Sequence, residues 1–249
     1  MSATVWMYSL GSVVLVSLVS LVGVVTLGLK EKLLRKVLLF LVSFSAGSLF
    51  GGAFFHLIPE AVEGTPIMYV SAYVMLGILF FFILEKGIHW RHCHIPTSKD
   101  HPHHLGMMNL VGDVFHNLID GLVIGGAYLV SIPLGTSTTI AILFHEVPQE
   151  IGDFGVLLHA GYTKAKALMY NFLSALSALI GVIIALTIGM RFGWFAEFLV
   201  PFTAGGFLYI AGSDLIPEMH KECSAPISLL QLSSLILGLL LMVGLNFFG

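Results

Sequence analysis

Eight stretches of this chain are apolar for long enough to form membrane-crossing helices. They run over about 5–28, 37–61, 67–88, 107–130, 136–159, 167–190, 198–219 and 227–248. A helix needs about 20 apolar residues to cross the hydrocarbon core. Runs such as Val13-Val14-Leu15-Val16 do not alternate as a barrel strand would. The expected fold is therefore all-α, a polytopic membrane protein of eight transmembrane helices forming a single transmembrane domain over 1–249. The connections are short, and a His-bearing loop at about 89–106 is the longest. Met1 to Trp6 carries no basic residue and no cleavage signal, so a removable signal peptide is not expected.

The second and seventh stretches end alike, in His56-Leu57-Ile58-Pro59-Glu60 and Asp214-Leu215-Ile216-Pro217-Glu218. Each puts two ionisable groups on one helical face around a proline. The two stretches run in opposite directions, so the match predicts an inverted repeat of helices 1–3 and 6–8 around helices 4–5. Proline removes the bond to the carbonyl four residues earlier, here those of Phe55 and Ser213.

Composition fixes the solvent. Hydrophobic residues make up 57% of the chain and charged residues 10%, against about 25% charge in a soluble domain. The 11 Lys and Arg residues are too few and too spread for a nucleic-acid footprint. Ten of them fall in the loops joining odd to even helices, and Arg191 alone lies on the other side. The positive-inside rule then places both termini outside the cytoplasm, with the cell membrane as the expected location. Cys93 and Cys223 fall on the cytoplasmic side, so no disulfide is expected. Nothing in the sequence decides against a homodimer.

Two of the apolar stretches carry most of the ionisable groups that lie deep in the chain's hydrophobic sequence. The fourth reads Asp113-Val-Phe-His116-Asn117-Leu-Ile-Asp120-Gly121, and the fifth His145-Glu146-Val-Pro148-Gln149-Glu150-Ile-Gly-Asp153. Ionisable groups at that depth are costly and mark an ion pathway or reaction site. At about 100° per residue, Asp113, His116, Asn117 and Asp120 share a stripe of about 100°. His145, Gln149, Asp153, Glu146 and Glu150 share one of about 140°. Pro148 frees the carbonyl of Phe144, a candidate ligand or water site. Gly121, Gly125 and Gly152 predict close approach of neighbouring backbones. Two imidazoles with amides and carboxylates suit a borderline divalent cation: zinc first, then iron, manganese or cadmium. The metal is expected as substrate; no cofactor is implied. Depth arranges a path in which the ion passes His56 and Glu60, binds at the centre, and leaves past Asp113, Asp153, Asp214 and Glu218, with Glu150 on the same face.

His-Asn-x-x-Asp-Gly on the fourth helix and His-Glu-x-Pro-x-Glu-x-Gly-Asp on the fifth resemble the ZIP (Zrt-/Irt-like protein) metal-ion transporters. The resemblance is nearest to the subfamily whose fifth helix carries HExPHExGD, and it extends to the eight-helix plan, outside termini and His-bearing loop. It implies uptake of a divalent metal, chiefly zinc, into the cytosol. It also implies primary ligands His116, Asp120, His145 and Gln149, with Asn117 and Glu146 beside them toward a second metal position. Gln149 departs from the subfamily's His, and helix 6 offers Asn171 where some members supply a carboxylate; both weaken a two-metal centre.

His92, Cys93, His94, His101, His103 and His104 form an auxiliary cytoplasmic metal-binding tract. The competing reading is an intramembrane zinc hydrolase, because His145-Glu146 begins like HExxH. Gln149 in place of the second His and the bend at Pro148 count against it. A proton-coupled carrier of another solute is the third reading. In the transporter reading, access alternates by rocking of helices 4–5, or of one repeat against the other, with Gly47 to Gly52 as a sliding surface.

Overall fold

A computed structural model of the chain describes residues 3–26, 28, 30–93, 102–189, 191–192, 194–221, 224–245 and 247. The helices are α1 (Ala3–Thr26), α2 (31–64), α3 (Ile67–Cys93), α4 (Pro102–Val130), α5 (Ile132–His159), α6 (Lys164–Gly189), α7 (Trp194–Met219) and α8 (Ala225–Leu245). There is no strand among the described residues. The all-α polytopic expectation holds.

Seven of the eight are long and apolar enough to cross a membrane. The other, α5, is 28 residues long. Its second half carries Glu146, Glu150 and Asp153, which lowers its hydropathy; Glu146 and Glu150 are fully buried against other helices. Two helices begin earlier than their apolar runs because polar residues cap them. The Ser131 hydroxyl accepts from the Leu134 N–H at 3.2 Å, and the Thr163 hydroxyl from the Lys166 N–H at 3.3 Å.

α4 packs on α6 and α5, α2 on α8, and α7 on α3. α4 and α5 run antiparallel: His116 meets His145, and Asn109, further toward the start of α4, meets Asp153, further toward the end of α5.

The repeat is more extensive than its two end motifs. Each is entered through a π-helical turn, Ala53–Leu57 in α2 and Ile210–Leu215 in α7. The Ile58 N–H reaches Ala53 O and the Ile216 N–H reaches Ala211 O, so the register changes before each proline. Nine residues before His56 stands Gly47, and nine before Asp214 stands Gly205, in Phe44-Ser45-Ala46-Gly47 and Phe202-Thr203-Ala204-Gly205. Both glycines sit at helix crossings of the same form. A Cβ on Gly47 would lie 2.0 Å from Leu235 O, and one on Gly238 2.1 Å from Phe44 O. A Cβ on Gly205 would lie 2.1 Å from Val74 O, and one on Gly77 2.1 Å from Phe202 O. Pairing α2 with α8 and α7 with α3 is what an inverted repeat of α1–α3 and α6–α8 requires.

Gly47 and Gly51 pack closely against Leu235 and Met242 of α8, and Gly52 faces α7 and α5 through Phe207 and Ala141. One glycine expectation is corrected. Gly121 and Gly125 do receive α6, but Gly152 has nothing within 4 Å of its Cβ direction. It lines a cavity of about 820 Å³ instead.

Candidate metal centre

Pro148 lies inside α5 and cannot donate to Phe144 O. The structure gives that carbonyl a partner from α2: the Ser45 hydroxyl donates to it. The oxygen expected to serve as a ligand or water site therefore has a protein partner, and the contact ties α2 to α5 at the residue next to His145.

Four side chains from α4 and α5 converge. One ligand atom from each of His116, Asp120, His145 and Glu146 lies within 4.8 Å of the others. His116 Nε2 is 3.2 Å from His145 Nε2 and 3.3 Å from Glu146 Oε1. His145 Nε2 is 3.4 Å from Asp120 Oδ2 and 3.3 Å from Glu146 Oε1. His116 Nε2 to Asp120 Oδ2 is 3.8 Å. A tetrahedral zinc with bonds of about 2.0–2.2 Å needs ligand atoms about 3.3–3.6 Å apart. The five separations bracket that edge.

The chemistry of the set points the same way. His145 Nδ1 faces Ala141 O at 3.4 Å, and donating its proton there leaves the Nε2 lone pair directed at the cluster. Both Glu146 carboxylate oxygens and Asp120 Oδ2 are buried without a hydrogen-bond partner. Buried acceptors left without donors are costly, and a cation between them satisfies all at once. His145 is 2% exposed and Glu146 0%, whereas the His116 side chain is 17% exposed, so the cluster opens on the His116 side.

The Glu146 carboxylate, expected beside the primary ligands, supplies the fourth atom of this cluster. Gln149, four residues after His145, is half-buried, and its side chain makes no hydrogen bond among the described residues. Asn117 is fully buried: its Nδ2 donates to Asp113 Oδ1 at 2.8 Å and Asp113 O at 3.2 Å, and its Oδ1 has no hydrogen-bond partner.

Asp113, Glu150 and Asp153 form a second group, with one oxygen from each within 4.8 Å of the others. Sequence reasoning singled out Asn171 but passed over two other donors around them, Asn109 and Ser174. Asn109 donates to Asp153 Oδ1 at 3.0 Å, the Ser174 hydroxyl to Asp113 Oδ2, and Asn171 to Glu150 Oε2 at 2.5 Å. Helical angles on α4 would have placed Asn109 beside Asp113, four residues on; nothing local marked Ser174.

The outlying pathway residues lie apart from both groups. His56 Nε2 donates to Met242 O of α8 at 2.7 Å, so its ring is already engaged. Glu60 is half-buried, and Asp214 and Glu218 are exposed. Glu218 pairs with Lys221, and both line the cavity beside Pro148 and Gly152. His94 and His101 lie outside the described residues, as do the side chains of His92, Cys93, His103 and His104.

The chain is similar in sequence to known proteins. The family described as ZIP Zinc transporter matches residues 3–106 and 91–246. Zinc transporter SLC39A7 of Homo sapiens is 29% identical over 97% of this chain and 71% of its own length. Zinc transporter ZIP13 of Pongo abelii is 34% identical over 84% of this chain and 66% of its own. Metal cation symporter ZIP14 of Homo sapiens is 30% identical over 88% of this chain and 61% of its own. The chain thus spans somewhat less than two thirds of the last two. A family of transporters leaves no place for the hydrolase reading, and zinc in such a protein is cargo. The chain belongs to the ZIP zinc transporter family, as a multi-pass membrane protein that transports metal ions.

Proposed function

We propose that this protein carries zinc into the cytosol through the cluster formed by His116, Asp120, His145 and Glu146. The observation that carries this reading is the near-tetrahedral spacing of four ligand atoms whose oxygens have no hydrogen-bond partners. A His₂ set with two carboxylates suits zinc, and accepts iron, manganese or cadmium less selectively. Asn117 and Gln149 flank the cluster and adjust the path around it. His56 and Glu60 serve the outer mouth. Asp113, Glu150, Asp153, Asp214 and Glu218 serve the inner one, and the His-bearing loop collects ions there. The inward direction is what the family resemblance implies, and the basic residues orient the chain with both termini outside the cytoplasm, with the cell membrane as the site of action.

The transport step is an exchange of water for these four ligands, followed by a change of access. The helices carrying the cluster pack on α2 and α7, and that boundary is where rearrangement would alternate the opening. The test is flux into liposomes loaded with a zinc indicator, comparing Zn²⁺, Fe²⁺, Mn²⁺ and Cd²⁺. His116→Ala and His145→Ala should each remove most zinc flux. Wild-type flux in both variants would sink the proposal.

A further inference from the structure

The group Asp113, Glu150 and Asp153 is one helical turn from the four-atom cluster. Asp113 precedes His116 by three residues on α4, and Glu150 follows Glu146 by four on α5. Because the helices are antiparallel, both steps lead toward the same membrane face, a displacement of about 5 Å. Every donor reaching the three acids is neutral: Asn109, Asn117, Asn171 and Ser174. No Lys or Arg pairs with any of them among the described residues. These donors fix the carboxylates in place without cancelling their charge, which at this depth is costly.

A second observation indicates a ligand. Glu150 is fully buried, and its Oε1 has no hydrogen-bond partner. The amides of Asn117 and Asn171 are also fully buried; they commit their donor ends to Asp113 and Glu150 and leave both Oδ1 atoms without partners. Unpartnered buried acceptors are rare in folded proteins. The unpartnered Oε1 of Glu150, within a group of three convergent carboxylates, describes a cation site whose ligands are oxygens.

We propose that Asp113, Glu150 and Asp153 form a second cation site, which receives the divalent ion leaving the His-bearing cluster and binds harder ions such as Mn²⁺ in its own right. It rests on the reading that ions pass through the first cluster and extends that path by one station. Replacing imidazole with oxygen ligands lowers the preference for zinc over harder cations, which favours release toward water.

The test uses the full chain in lipid nanodiscs. Mn²⁺ is titrated and the free ion read from its aqueous electron paramagnetic resonance signal. His116→Ala/His145→Ala should still bind one Mn²⁺ per chain. Adding Glu150→Gln, or separately Asp153→Asn, should weaken that binding at least tenfold, each scored only in protein that elutes as the folded species. A double-His variant that binds no Mn²⁺, or carboxylate variants that bind it as tightly, would overturn the second site. Failure of the transport reading looks different: zinc flux indifferent to the His substitutions, whatever the Mn²⁺ count.

Discussion

Gly121 adjoins the cluster residue Asp120 and faces α6 at a backbone contact. A Cβ there would lie 2.0 Å from Ala178 O and 2.9 Å from Ala178 Cα. Carbon–oxygen contacts at helix crossings settle at about 3.3–3.6 Å. Gly121→Ala therefore has to move α4 from α6 by about 1.3 Å, because the opposing atoms are backbone and cannot swing aside. Overpacking of this kind costs about 1–3 kcal/mol. The displacement also reaches the metal cluster. Asp120 Oδ2 is 3.4 Å from His145 Nε2 on the neighbouring helix, and zinc–ligand distances tolerate only about 0.2 Å. The expected outcome is a lower unfolding midpoint and zinc affinity weaker by about tenfold or more, in the range seen when ligand-orienting groups are removed. Thermal unfolding in nanodiscs and zinc titration calorimetry measure the two effects. Gly181→Ala meets Leu118 O at 2.1 Å in the same crossing and should lose similar stability. Gly11→Ala, with nothing within 4 Å, should lose almost none. Wild-type stability and affinity in Gly121→Ala would refute the link between the crossing and the site.

Ser45→Ala should lower stability by about 1–3 kcal/mol, because it leaves the part-buried Phe144 O without its donor; an unchanged unfolding midpoint would show another donor reaching it. Glu146→Gln keeps the shape of the cluster but removes one anionic ligand, so zinc affinity measured by calorimetry should fall well below wild type. Gln149→Ala should leave that affinity close to wild type, and the reverse pattern would return Gln149 to the ligand set. Deleting residues 92–104 should lower initial zinc uptake only modestly, and abolished uptake at normal surface expression would make the His-bearing loop part of the conduction path.

Periodicity was enough for the helices and for the faces of α4 and α5, because in lipid both the burial pattern and the cost of charge are extreme. His116, Asp120 and His145 follow from those faces directly. The contact of Glu146 with both imidazoles did not, since helical angles bring Glu146 and Gln149 alike to the stripe beside His145. The deciding quantity is how α5 is rotated and shifted against α4, which depends on contacts such as Ser45 to Phe144 O and Gly121 to Ala178. Ser45, Ser174 and Asn109 escaped notice because small polar residues are common in membrane helices and only tertiary contact gives them a partner. The π turns before Pro59 and Pro217 likewise have no local signature. Gly47 at equal spacing from His56 as Gly205 from Asp214 could have been read from the chain, and its meaning became clear only at the crossings with Gly238 and Gly77.

X-ray absorption at the zinc edge, on protein loaded with one equivalent of Zn²⁺, measures the coordination shell itself. The arrangement of His116, His145, Asp120 and Glu146 predicts about four N/O neighbours at about 2.0–2.2 Å, with imidazole scattering from two rings and no sulfur. That scattering should fall to one ring in His116→Ala. A six-oxygen shell without imidazole, or a spectrum unchanged by His116→Ala, would contradict zinc binding at this cluster.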